Sequence, residues 1–303
     1  MSAIDALFRQ LRSANRKAFM PFVTAGDPDL DFTAEVIRRL AARGCSLVEL
    51  GIPYSDSVAD GPVIQASYTR ALGHKTKLAD ILAMVGRLTG GHLLECGDSS
   101  PLSVEQSELP PNAATQEKSG DESPHSKDSP PIVTMVSYAI VFRHGLEQYV
   151  ADAKRAGAAG AIVPDLPVEE AGPLAEICRR EDFSLIQLIT PTTPRDRALR
   201  IAERTTGFIY YVSVTGITGE RTALPPEIID NVGWLRRQTP LPICIGFGIS
   251  RPEHVRMLAP VADGLIVGSA IVRHIAEAAT KPRGQVLDEI GDYAAELLAA
   301  MER

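Results

Sequence analysis

Glu49 lies near the end of the apolar run Ser46-Leu-Val-Glu-Leu50, and strand alternation turns it inward, away from water. Burial disfavours the charged carboxylate, so its pKa rises into the range where it can give and take protons near neutrality. Asp56 and Asp60 follow in a loop rich in glycine and proline, Gly51-Ile-Pro-Tyr-Ser-Asp-Ser-Val-Ala-Asp-Gly-Pro62. Acids in different environments can divide acid and base work. The plainer reading makes Glu49 a buried, paired structural acid and the aspartates turn caps.

A second group of residues suits an anion. Gly216-Ile-Thr-Gly219, Gly246-Phe-Gly248 and Gly268-Ser269 follow the sixth, seventh and eighth strand candidates. Ser269 opens the helical pattern Ser269–His274, whose first amides lack intrahelical partners and form the positive end of the helix dipole. The alternative is three glycine-rich turns with no ligand. Gly246-Phe-Gly248 lacks the third glycine of a dinucleotide fingerprint, which gives nicotinamide binding little support. The four cysteines (Cys45, Cys96, Cys178, Cys244) form no CxxC pair, and the six histidines show no metal spacing.

These residues need a frame. Strand candidates recur at Ala18–Thr24, Ser46–Gly51, Ile132–Tyr138, Ala161–Val163, Ser184–Ile189, Gly207–Ser213, Pro242–Gly246 and Gly264–Val267, with helical patterns between them. Ser250-Arg-Pro-Glu253 has the pattern of a capping box, and Pro167 with Glu169 and Glu170 reads as a helix start. Ile4, Leu7, Phe8 and Leu11 have helical spacing and predict an extra N-terminal helix. Eight strand–helix units predict an α/β protein, a closed (β/α)8 TIM barrel, with reactive groups at the C-terminal ends of its strands.

The 303 residues carry 38 acids and 31 bases, a net charge of −7, and are 45% hydrophobic. The acidic balance argues against nucleic-acid or anionic-membrane binding. No apolar run reaches membrane-spanning length, and the N-terminus lacks a secretion signal, so a cytoplasmic protein is expected. Residues 91–131, between the second helix and the third strand, contain eight acids, two lysines, eight serines and six prolines. Such a composition cannot bury enough apolar surface to offset ordering, so a disordered acidic insertion is expected there. Removing its −6 from the chain's −7 leaves −1 on the other 262 residues, those of a single barrel domain spanning 1–303.

The chain resembles the tryptophan synthase alpha chain family. The resemblance rests on Glu49–Pro62, joined by Pro21-Phe-Val-Thr-Ala-Gly-Asp-Pro28 and Val163-Pro-Asp-Leu-Pro-Val-Glu-Glu170. Ser213-Val-Thr-Gly-Ile-Thr-Gly219, Gly246-Phe-Gly-Ile-Ser250 and Gly268-Ser-Ala-Ile-Val272 complete it. It implies a carbon–carbon lyase of tryptophan biosynthesis, cleaving indole-3-glycerol phosphate to indole and glyceraldehyde 3-phosphate. By resemblance Glu49 shuttles a proton between the ring carbon and the glycerol hydroxyl, and Asp60 deprotonates the ring nitrogen. Phe22 and Tyr210 line the indole pocket, while Gly219, Gly248, Gly268 and Ser269 hold the phosphate. The family's chain needs no metal or organic cofactor. Its partner is a pyridoxal-phosphate beta chain, in an alpha2-beta2 heterotetramer, that receives indole through a tunnel and docks around the loops after strands two, three and six. The chain departs from the family where Ser57-Val58 replace Pro-Leu, and where Ser137-Tyr138-Ala139 replace Tyr-x-Asn. Both departures touch partner-facing loops, which leaves room for a stand-alone lyase or a scaffold that only activates a partner.

Overall fold

The computed structural model describes residues 1–57, 60–90, 129–212, 226–246 and 248–301. Within them nine strands run in chain order: β1 Ala18–Thr24, β2 Val48–Gly51, β3 Ile132–Met135, β4 Ala158–Ile162, β5 Ser184–Ile186, β6 Leu188–Ile189, β7 Ile209–Val212, β8 Ile243–Gly246 and β9 Gly264–Val267. Among the described residues twelve α-helices are interleaved with them: α1 Ala3–Ser13, α2 Leu30–Ala42, α3 Pro62–Gly73, α4 Leu78–Thr89, α5 Tyr138–His144, α6 Leu146–Arg155, α7 Gly172–Arg180, α8 Arg195–Arg204, α9 Pro226–Gln238, α10 Pro252–Leu258, α11 Ser269–Ala276 and α12 Arg283–Met301.

Every strand pairing is parallel, in the order β5-β4-β3-β2-β1-β9-β8-β7-β6. The two ends of that order, β5 and β6, are halves of one strand interrupted at Gln187, so the sheet closes on itself. The seam is joined by the Thr206 N–H to the Leu185 carbonyl at 2.9 Å and the Tyr210 N–H to the Gln187 carbonyl at 3.1 Å. The predicted eight-unit barrel is therefore observed, with its fifth strand divided.

Alternation sorts side chains into two shells. Met20, Leu47, Val133, Ile162, Ile186, Tyr210, Cys244 and Ile266 fill the barrel interior, while Val48, Leu50, Leu185, Ile209, Ile243 and Leu265 pack outward beneath the helices. The predicted N-terminal helix, α1, plugs the N-terminal end of the barrel. Its Ile4, Phe8 and Leu11 join the interior cluster, with Phe8 5.7 Å from the Phe208 ring. Each such burial contributes about 1.5–3 kcal/mol. Ser2 caps α1 in a full capping box with Asp5.

Several boundaries differ from the sequence reading for local reasons. The third strand stops at Met135, before the predicted Tyr138, because Ser137 is the N-cap of α5. The fourth begins three residues early, at Ala158, and the second begins at Val48. Ser250-Arg-Pro-Glu253 does not form a capping box. Arg251 holds the N-cap position of α10 with no side-chain cap, and the Ser250 amide instead donates to His254 Nδ1 at 3.3 Å. Pro167–Glu170 closes a turn through Glu170 N–H to the Pro167 carbonyl, and α7 starts later, with Pro173 in its first turn.

The predicted insertion lies outside the described residues as far as position 128. Its flanks are described: the Ser129 hydroxyl donates to the Leu88 carbonyl at 2.9 Å, beside the C-terminus of α4. The two flanks therefore meet at the N-terminal end of the barrel. Among the described residues, no helix is long and apolar enough to cross a membrane.

Candidate active site

Glu49 is the second residue of the four-residue β2, paired in register with Phe22 of β1 and Val133 of β3. Leu47, two residues earlier, is in the interior cluster, and Val48 and Leu50 are in the outer one, so Glu49 points into the barrel. It is 1% exposed, and neither carboxylate oxygen has a hydrogen-bond partner among the described residues. Burial raises its pKa from the ordinary carboxylate range to about 8, and the charge of nearby Asp60 adds to the rise. The paired structural acid of the plainer reading is not what the geometry gives, since no cation or donor of the described chain holds Glu49. An unpartnered buried acid is costly to keep, and it is poised to carry a proton at neutral pH.

Asp60 sits on the loop between β2 and α3. Its amide donates to the Ser57 carbonyl at 3.0 Å, and Gln65 Nε2 spans the Ser57 and Asp60 carbonyls at 3.1 and 2.8 Å. The turn uses the carbonyl of residue 57 and not its side chain, so serine at this position leaves these bonds intact. Tyr54 donates its hydroxyl to Asp60 Oδ2 at 3.1 Å. Partial burial raises the Asp60 pKa, the Tyr54 bond opposes that rise, and the Asp165 charge adds to it. Asp56, the third acid of the loop, is exposed and is not drawn into this group.

Two glycines give the aromatic side chains their places. A Cβ on Gly51 would lie 2.4 Å from Phe22 Cζ and 2.9 Å from the Tyr68 hydroxyl. A Cβ on Gly246 would lie 2.6 Å from the Tyr210 hydroxyl. Phe22 and Tyr210 are thus buried over the C-terminal ends of β2 and β8, 4% and 7% exposed. Desolvation raises the Tyr210 pKa, and the charges of Glu49 and Asp60 add to the rise.

Gly268 is the N-cap of α11 and Ser269 its first residue. A Cβ on Gly268 would come 3.7 Å from Phe22 Cβ, so this helix start borders the aromatic pocket. Gly248 has a φ of +77°, a left-handed backbone that favours glycine. Gly219 and the rest of Gly216–Gly219 lie outside the described residues.

Sequence reasoning missed Tyr54, Tyr68 and Asp165. Tyr68 stands at helical spacing from Ile64 and Ala71 on the buried face of α3, where an aromatic reads as core. Asp165 accepts from the Ser137 hydroxyl and the Tyr138 amide, both at 2.7 Å, and so fixes the start of α5. The departure at Ser137 from the family pattern therefore has a structural use.

A family model for the tryptophan synthase alpha chain matches residues 8–94 and 120–301. This chain belongs to the tryptophan synthase alpha chain family. The unmatched stretch, 95–119, falls in the middle of the acidic segment. The tryptophan synthase alpha chain of Rhodopirellula baltica is 51% identical, over 100% of this chain and 99% of that protein. That of a Synechococcus strain is 40% identical, covering 99% and 98%. Among solved structures, tryptophan synthase subunit alpha from Legionella pneumophila superposes with a TM-score of 0.80 at 30% identity, over 100% of this chain and 99% of that one. The tryptophan synthase A-subunit from Pyrococcus furiosus does so with a TM-score of 0.74 at 32% identity, over 93% and 98%.

Proposed function

We infer that this chain is the alpha subunit of a tryptophan synthase, cleaving indole-3-glycerol phosphate to indole and glyceraldehyde 3-phosphate. The observation that carries the reading is Glu49, a buried acid with both oxygens unpartnered among the described residues and its pKa raised to about 8, set beside Asp60.

Cleavage needs the ring carbon to leave as something better than a bare carbanion. Neutral Glu49 gives its proton to that carbon, and ionised Asp60 takes the proton of the ring N–H. The result is a neutral indolenine. The Glu49 carboxylate then removes the proton of the adjacent glycerol hydroxyl. The carbon–carbon bond breaks to leave an aldehyde, its electron pair returns to the ring, and Asp60 returns the proton to nitrogen. Both acids end as they began, so they act catalytically. The ring nitrogen is the electron sink, and this chemistry asks for no metal or organic cofactor in this chain.

Phe22 and Tyr210 bound the indole, while Gly219, Gly248, Gly268 and Ser269 hold the phosphate. The start of α11 supplies unpaired amides beside the aromatic pocket. We place residues 1–303 in a single barrel domain, with 91–131 as an acidic addition, and the protein in the cytoplasm. The partner is a pyridoxal-phosphate beta chain, in an alpha2-beta2 heterotetramer. Its docking is supported by α5, which rises from β3 on the active face and leaves Phe142 67% exposed, its ring 6.0 Å from Tyr138.

The test measures indole release by wild type, Glu49→Gln and Asp60→Asn, each with and without a tryptophan synthase beta chain. Loss of release in both folded variants, and strong stimulation of wild type, are expected. Full release by either variant overturns its role, and an absence of stimulation makes the chain a stand-alone lyase.

A further inference from the structure

Beside Glu49 lies a second buried group that the described chain leaves without a partner. The Tyr68 side chain is 1% exposed, and its hydroxyl makes no hydrogen bond among the described residues. Its location is set by Gly51, two residues beyond Glu49 on the same inward face of β2. The direction a Gly51 side chain would take is filled by the Phe22 ring edge and, at 2.9 Å, by the Tyr68 hydroxyl. The hydroxyl therefore hangs over the end of β2 at Gly51, two residues along the inward face from Glu49.

Nothing about this placement is slack. Helix α3 is clamped onto the barrel rim on either side of Tyr68. Ser67 and Thr24 share a buried hydrogen bond of 2.6 Å, and Arg70 binds Asp27 through two bonds of 2.8 and 2.7 Å. Tyr54 packs against the Tyr68 ring with centroids 5.4 Å apart. Negative charge on Asp60, Tyr54 and Glu49 opposes ionisation of Tyr68, after the larger effect of burial. The phenol thus stays a neutral donor within reach of the acids' fields.

A buried hydroxyl and a buried carboxylate, each unpartnered among the described residues and both over the inward face of β2, can complete one another when the site is occupied. Hydrogen bonds of this kind commonly tighten only in the substrate complex. We propose that the Tyr68 hydroxyl is a positioning donor that holds the Glu49 carboxylate while its proton resides on the substrate. This rests on Glu49 being the proton-transfer acid. Stabilising that carboxylate favours the ring-protonated intermediate, and it also lowers the pH at which Glu49 loses its proton in the substrate complex.

The experiment is the pH dependence of indole release by Tyr68→Phe, which keeps the ring and removes only the donor. Neutral Glu49 is the form that starts the reaction, so its deprotonation sets the basic limb. The variant should lose about tenfold in kcat with KM within about twofold, and its basic limb should move up by about one pH unit. A lowered kcat with an unmoved limb marks Tyr68 as packing only and overturns the proposal, as does a profile that superimposes on wild type. Should Tyr68→Phe fold poorly, 3-fluorotyrosine at position 68 replaces it. That group is a stronger donor and should move the basic limb down, and an unmoved limb again overturns the proposal. Glu49→Gln, assayed alongside, separates the two readings: full activity there refutes the role of Glu49 itself.

Discussion

Phe22 and Glu49 are register partners across β1 and β2, and Gly51, two residues past Glu49, leaves the space that the Phe22 ring edge enters. Glycine is required here for close approach and not for an unusual backbone. In Gly51→Ala the new methyl would lie 2.4 Å from Phe22 Cζ, so the ring must move out of the pocket. Misplacement on the order of 1 Å costs about 10²-fold in turnover, so we expect kcat/KM for indole release to fall by about that factor. Circular dichroism should remain that of wild type, and unchanged kinetics would refute the assigned pocket.

Glu49 also links stability to pH. Its folded pKa, about 8, lies above the ordinary value of 4.5. The folded state therefore holds a proton that the unfolded state releases between those values. Stability from this source is complete below about pH 4.5 and is lost as pH rises through about 8. Glu49→Gln removes the ionisation, so it should have a higher Tm than wild type at pH 9 and nearly the same Tm at pH 5. A difference in Tm that does not grow with pH would contradict the burial of an uncompensated acid.

Tyr54 acts on the other acid. Its 3.1 Å bond to Asp60 favours the carboxylate, against the raising effects of burial and Asp165. Removing the donor in Tyr54→Phe should raise the Asp60 pKa and move the acidic limb of kcat/KM to higher pH. The basic limb should stay in place, and titration of indole release across both limbs checks the separation.

Asp27 is 1% exposed, and the Arg70 guanidinium supplies both of its side-chain bonds among the described residues. Arg70→Leu leaves a buried charge uncompensated and should cost about 3 kcal/mol in denaturant unfolding. Asp27→Asn in the same background should recover part of the loss, because the buried charge is then gone.

Ser129 reaches back to Leu88 across the flanks of the acidic segment, at the barrel end remote from Glu49. Replacing Cys96–Lys127 with a short glycine–serine link should leave indole release, and its stimulation by a beta chain, within about twofold of wild type. Loss of stimulation alone would show that the segment reaches the partner.

Much of this protein was legible along the chain. The two-residue alternation of Leu47 and Glu49 against Val48 and Leu50 assigns inward and outward faces without coordinates. The recurrence of apolar runs counts the strands, and glycines mark the loops after the last three. Chain-local signals of this kind depend only on backbone periodicity and on steric preference. They failed where a competing local bond decided the outcome: Ser137 ended β3 by capping α5, and Ser250 bonded His254 instead of capping α10.

What the sequence could not express is which distant groups share a space. Whether Glu49 is paired or alone depends on α3, more than ten residues away, and on strands at the far side of the ring. Tyr68 reads as a core aromatic from its helix face, and only the crossing of α3 over Gly51 sets its hydroxyl beside the acid. Desolvation, which turns Glu49 from an ordinary carboxylate into a proton carrier, is a property of everything packed around it. Residue types and spacing determined the candidates, and closure of the barrel determined their chemistry.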